Sequence, residues 1–171
     1  MYFKLNKLIV CALFTGIIVV FSQIIFPVNI IPISLTSLAV MICGGVLGWK
    51  MGFLTLFLYI LMGTIGLPVF AGFKGGLGVL LGPTGGFIIG YLVIAVLSGV
   101  AFRKQRSGLI TVLMLCFANI ICYIIGTLWY MLITNSGFIS AISVCVLPFV
   151  MGDALKVAMA YPAIVRIKKR I

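Results

Sequence analysis

The one acidic side chain of the sequence, Asp153, stands three residues before Lys156 in an otherwise apolar run from Ile139 to Ile164. A spacing of three puts the carboxylate and the ammonium on one helical face. An ionised carboxylate only accepts hydrogen bonds and an ammonium only donates them, so together they can meet a ligand that carries both a donor and an acceptor. Ionisable groups at membrane depth are costly, and they face a bundle interior or a cavity with a partner. Two readings follow: a functional site, or an ion pair that locks helix packing.

Other chemistry is poorly served. The chain has no histidine, and its five cysteines, Cys11, Cys43, Cys116, Cys122 and Cys145, lie within apolar segments without a C-x-x-C pair. They read as buried packing residues, not metal ligands or a disulfide framework. A single acid offers neither paired carboxylates for acid–base catalysis nor a proton relay, and a Ser–Lys dyad would need a nucleophilic serine beside Lys156. The sequence is therefore read as a non-enzyme, with no catalytic residues, metal or cofactor.

The elements that must position the pair are membrane helices. With 64% hydrophobic and 8% charged residues and a mean hydropathy of +1.42, the chain lies far outside the soluble range. Apolar runs predict six spans: Leu5 to Phe26, Leu35 to Trp49, Met51 to Leu67, Gly85 to Phe102, Leu109 to Ile133 and Ala141 to Val165. The second and third are short, interrupted by glycine and separated by Lys50, as in a tight helical hairpin. The first run has no small-residue cleavage site and reads as a retained span, not a signal peptide.

The net charge of +11 comes from short clusters between apolar runs, which are orientation signals and not a nucleic-acid surface. With the N-terminus in the cytoplasm, Lys4, Lys7, Lys50, Arg103, Lys104, Arg106, Arg166, Lys168, Lys169 and Arg170 fall inside. Lys74 falls outside and Lys156 within a span, which accounts for all 12 basic residues. That asymmetry predicts an N-in, C-in orientation for an all-α integral membrane protein whose residues 1–171 form one transmembrane domain.

Between the third and fourth spans runs Gly66-Leu-Pro-Val-Phe-Ala-Gly-Phe-Lys-Gly-Gly-Leu-Gly-Val-Leu-Leu-Gly-Pro-Thr-Gly-Gly86, with eight glycines in 21 residues. No Gly-Lys-Ser/Thr follows them, which excludes a P-loop, and the strand–helix context of a dinucleotide fingerprint is missing. Irregular backbone at membrane depth is tolerated where it is buried in protein or lines a cavity, so the segment is read as a gate and part of a pocket. The first helix carries Ala12-Leu-Phe-Thr-Gly16, a small-xxx-small pair at which another helix can approach closely.

Taken together, Gly66-Leu-Pro-Val-Phe-Ala-Gly, Gly75-Gly-Leu-Gly and Leu81-Gly-Pro-Thr-Gly-Gly-Phe resemble the BioY family, the biotin-transporter S components of energy-coupling-factor (ECF) importers. The resemblance extends through Ile31-Pro-Ile-Ser-Leu-Thr-Ser-Leu-Ala-Val, Tyr123-x-x-Gly126-x-x-Trp129 and Val146-Leu-Pro-Phe-x-x-Gly-Asp153-x-x-Lys156. It implies a compact six-helix bundle in the cell membrane that captures biotin near the outer side. The implied partners are membrane lipid, a transmembrane coupling protein and two ABC-type ATPases, for the chain has no nucleotide-binding motif of its own. With biotin as ligand, the donor and acceptor inventory sets Asp153 on a ureido N–H and Lys156 on the ureido oxygen, leaving Lys74 for the carboxylate; the competing pose gives Lys156 to the carboxylate. Phe70, the backbone at Gly72, Gly75 and Gly85, Tyr123 and Trp129 would lie near the ligand, and Ala12 and Gly16 would dock the coupling protein. The family often has Gln where this chain has Thr36, and some members have Asn at Lys74 and Arg at Ile88, so no cation is carried over to position 88. An S component for a different small vitamin is the alternative.

Overall fold

The computed structural model describes residues 2–26, 33–103 and 107–170. Lys104, Arg106 and the Ile31-Pro32 start of one motif lie outside the described residues, as do the side chains of Lys4 and Lys7. The described residues form eight helices and one two-stranded ribbon: α1 (Tyr2–Gln23), β1 (Ile25–Phe26), β2 (Ile33–Ser34), α2 (Thr36–Leu47), α3 (Trp49–Thr64), α4 (Leu77–Leu80), α5 (Gly85–Ala101), α6 (Gly108–Thr134), α7 (Phe138–Cys145) and α8 (Leu147–Lys168).

The all-helical expectation holds, but several boundaries differ from the sequence reading. The first helix stops at Gln23, and the residues expected to finish it enter an antiparallel ribbon that sets Ile25 opposite Ser34 and Phe26 opposite Ile33. The last helical stretch starts at Phe138, not Ala141, and breaks at Val146. Pro148, in the first turn of α8, has no N–H to continue the hydrogen-bond ladder, and its ring crowds the preceding turn. The glycine-rich segment is not wholly irregular, since α4 forms one turn inside it.

Among the described residues, two stretches, Gly108–Thr134 and Phe138–Lys168, are long and apolar enough to cross a membrane, against the six expected. Helices α2, α3 and α5 have 12, 16 and 17 residues. Gly48, with φ +80°, ends α2 and begins α3.

Helix α5 packs against α2, α3 and α6, while α8 lies on α2 and α1 on α3. The α2–α5 approach depends on Gly44, where a Cβ would come within 2.1 Å of the Ala95 carbonyl oxygen. The outer face of α6 shows an apolar stripe of Leu109, Leu113, Phe117, Ile120, Ile124, Leu128 and Leu132, all exposed. Such a stripe is an interaction surface for apolar surroundings.

The bundle has chemically different ends. Lys168 Nζ donates to the Phe102 carbonyl at 2.8 Å, the Trp49 backbone crosses Gly99, and the Tyr161 hydroxyl lies over Gly108. These contacts gather Lys50, Arg103 and the C-terminal cations at one end. At the other end, the last turn of α1 holds the loop that carries Lys74.

Candidate functional site

Helix α8 presents Asp153 and Lys156 inward, 6% and 4% exposed. Lys156 Nζ is 2.7 Å from Asp153 Oδ1. Ser37 on α2 completes a triangle: it accepts from Lys156 Nζ at 3.1 Å and donates to Asp153 Oδ1 at 3.3 Å. The Tyr123 hydroxyl on α6 donates to Asp153 Oδ2.

The donor and acceptor ledger of this cluster is specific. A carboxylate has about four lone-pair positions and an ammonium three N–H groups. Asp153 accepts from Lys156, Ser37 and Tyr123, and Lys156 donates to Asp153 and Ser37. One acceptor position and one N–H are left over, on neighbouring side chains.

Both residues line a cavity of about 90 Å³. Its polar wall includes Ser34, Thr36, Ser37, Asn119 and Tyr91, and its apolar wall includes Phe70, Phe87 and Phe149. Phe87 and Phe149 are stacked, with ring centroids 5.8 Å apart and planes at 18°. Asn119 donates to the Leu115 carbonyl at 2.9 Å and to Met41 Sδ at 3.6 Å. Asn119, Tyr123 and Asp153 also border an apolar groove of about 490 Å³ between α6 and α7–α8.

Of the residues singled out in the sequence, Asp153, Lys156, Lys74, Phe70 and Tyr123 meet at this cavity. Lys74 is exposed and Phe70 is buried. Gly72, Gly75, Gly85 and Trp129 are not on its lining. They shape the loop instead. Gly72 takes φ +77°, a conformation open to glycine and costly for other residues. At Gly75 the loop crosses itself so closely that a Cβ would meet the Leu67 carbonyl oxygen at 2.2 Å, and a Cβ at Gly85 would strike that of Leu80. Trp129 donates its indole N–H to the Gly82 carbonyl at 3.0 Å and so ties the end of the loop to α6.

Sequence reasoning missed Ser37, Asn119, Phe87 and Phe149. Ser37 and Asn119 are polar residues inside apolar helices, a signal available from the sequence, but their partners are 116 and 78 positions away. Ala12 and Gly16 are exposed on α1, in line with Leu8 and Val20, and nothing lies within 4 Å of a Cβ placed on Gly16.

The sequence model of the BioY family matches residues 1–171. This chain belongs to the BioY family. Among curated BioY proteins, the chain is 38% identical to the probable biotin transporter BioY of Pyrococcus horikoshii, over 92% of this chain and 93% of that protein. It is 36% identical to the biotin transporter BioY of Thermotoga maritima, over 96% and 97%. Its fold is similar to the crystal structure of an S-component for biotin from an ECF-type ABC transporter, with a TM-score of 0.89 and 26% identity over 97% of this chain and 92% of that one. BioY membership thus accompanies a buried Asp–Lys pair at a cavity in this chain.

Proposed function

We propose that this chain is the biotin-capturing S component of an ECF-type importer. In this reading residues 1–171 form one domain in the cell membrane, with α1, α2, α3, α5, α6 and the α7–α8 stretch as six spans and both termini in the cytoplasm. The separation of the basic end from the Lys74 loop supports that orientation.

The unfilled acceptor of Asp153 and the unfilled donor of Lys156 carry the reading. A biotin ureido ring offers N–H donors beside a carbonyl oxygen, the complement of what the pair leaves open. Asn119 Oδ1 is the acceptor we assign to the second ureido N–H, and stacked Phe87 and Phe149 give the bicyclic ring an apolar wall. The valerate carboxylate then reaches Lys74, since Ile88, also on the lining, offers no charge. Charge-assisted hydrogen bonds to the pair would each be worth about 1.5–3 kcal/mol.

The chain captures the vitamin and does no chemistry on it. Energy comes from two partner ATPases through a coupling protein that docks on α1 at Ala12 and Gly16, a face with room for another helix. An S component for a different vitamin is the competing assignment. Purified protein in lipid nanodiscs should bind biotin by calorimetry and release biotin on denaturation, identified by mass spectrometry. Binding of another vitamin, with no competition from biotin, would overturn the assignment.

A further inference from the structure

We propose that Gln23, at the C-terminal end of α1, is the positioning residue that latches segment 69–74 over the cavity. The proposal rests on the biotin-capture reading for its consequence and on the hydrogen bonds around Gln23 for its geometry.

Segment 69–74 supplies Phe70, Ala71 and Lys74 to the cavity lining. It is a tight excursion, closed by the Phe70 N–H donating to the Lys74 carbonyl at 2.9 Å. Its tip is strained: Gly72 has φ +77° and Phe73 has φ +55°. A phenylalanine in the left-handed region is an unfavourable state that persists only when its surroundings hold it. Exposed Phe73 lacks the packing to do that, but its N–H donates to Gln23 Oε1 at 2.8 Å.

The other end of the same amide faces acceptors. Gln23 Nε2 lies 3.4 Å from the Val69 carbonyl and 3.3 Å from that of Phe70, with the Val19 carbonyl at 3.3 Å and Ser22 Oγ at 2.9 Å. Two N–H groups shared among these partners, and an oxygen committed to Phe73, fix which way round the amide sits. The one hydroxyl hydrogen of Ser22 is shared between the Val69 carbonyl at 2.7 Å and the Val19 carbonyl of its own helix at 2.6 Å. The segment is thus held at both shoulders by two consecutive side chains of one helix. An apolar residue at 23 would provide none of these bonds, and a glutamate would keep the Phe73 bond but turn an acceptor toward the Val69 and Phe70 carbonyls.

The latch predicts a graded response. In nanodiscs, Gln23→Leu should speed release of radiolabelled biotin by about tenfold or more, the loss expected from breaking one or two ordinary hydrogen bonds. Amide exchange at 69–74 should accelerate with it. Gln23→Glu, which retains the Phe73 bond, should fall between Gln23→Leu and wild type in both measurements, with melting temperatures unchanged. Unaltered release and exchange in both variants would overturn the latch. So would exchange that quickens throughout α1–α3 with a lower melting temperature, which would make Gln23 a general fold residue. If wild type binds no biotin while Gln23→Leu still accelerates exchange confined to 69–74, the latch stands and the ligand assignment fails.

Discussion

The ring of Phe70 occupies the space in which residue 63 would carry a side chain: a Cβ on Gly63 would lie 2.0 Å from Phe70 Cζ. The ring meets Tyr59 edge-on, with centroids 5.6 Å apart. One glycine on α3 therefore seats the aromatic residue that begins the loop over the cavity. Gly63→Ala should displace Phe70, lower stability by about 1–3 kcal/mol and loosen biotin binding. Thermal melts and calorimetry check this, and an unchanged affinity would mean that the Phe70 wall is dispensable.

Asp153→Asn keeps the shape of the side chain but points an amide donor into a cluster of donors, Lys156 and Tyr123. Biotin affinity should fall roughly tenfold or more. Lys156→Ala should weaken biotin and biotin amide alike, while Lys74→Ala should weaken biotin more than the neutral amide. Normal binding by Asp153→Asn, together with an earlier melt, would assign the pair to helix packing instead.

Gly16→Trp tests the face of α1. With nothing within 4 Å of position 16, the indole should be accommodated outside the bundle. Biotin binding and melting temperature should match wild type, whereas ATP-dependent uptake by the reconstituted complex should be abolished. A joint loss of binding and uptake would place this face in the fold and not at a partner.

Orientation is open to chemical labelling. A cysteine near Lys74 should react with an impermeant maleimide in whole cells, and a cysteine at exposed Ser107 should react only after the cells are opened. The opposite pattern would invert the topology.

The legibility of this chain in its sequence follows the range of the interactions. Asp153 and Lys156 lie on one helix turn, so their spacing alone puts them on one face, where the carboxylate and ammonium are 2.7 Å apart. Tyr123, expected near the ligand, reaches the site through its hydroxyl, which holds Asp153. Trp129, expected near the ligand, instead ties down the Gly82 carbonyl, because which way an aromatic faces depends on packing that helical periodicity does not encode. Gln23 ends an apolar run and meets a loop some 50 positions on, a contact that no local pattern carries. The β1–β2 ribbon escaped notice because strands of two residues have no alternation to read. The break at Val146 did have a signal in Pro148, which the apolar run obscured.

The short helices have a consequence for the surrounding bilayer. At the helical rise, the 12 residues of α2 and 17 of α5 extend about 18 and 26 Å, less than a hydrocarbon core of about 30 Å. The 27-residue α6 extends about 40 Å and must lean to fit. Short spans are accommodated by local thinning of the lipid and a long one by tilting, and here α5 and α6, of different length, pack directly on each other. In the six-span reading proposed above, that mismatch would make the fit of the bundle depend on acyl-chain length, so that the lipid composition of a reconstitution would itself be a variable of biotin capture.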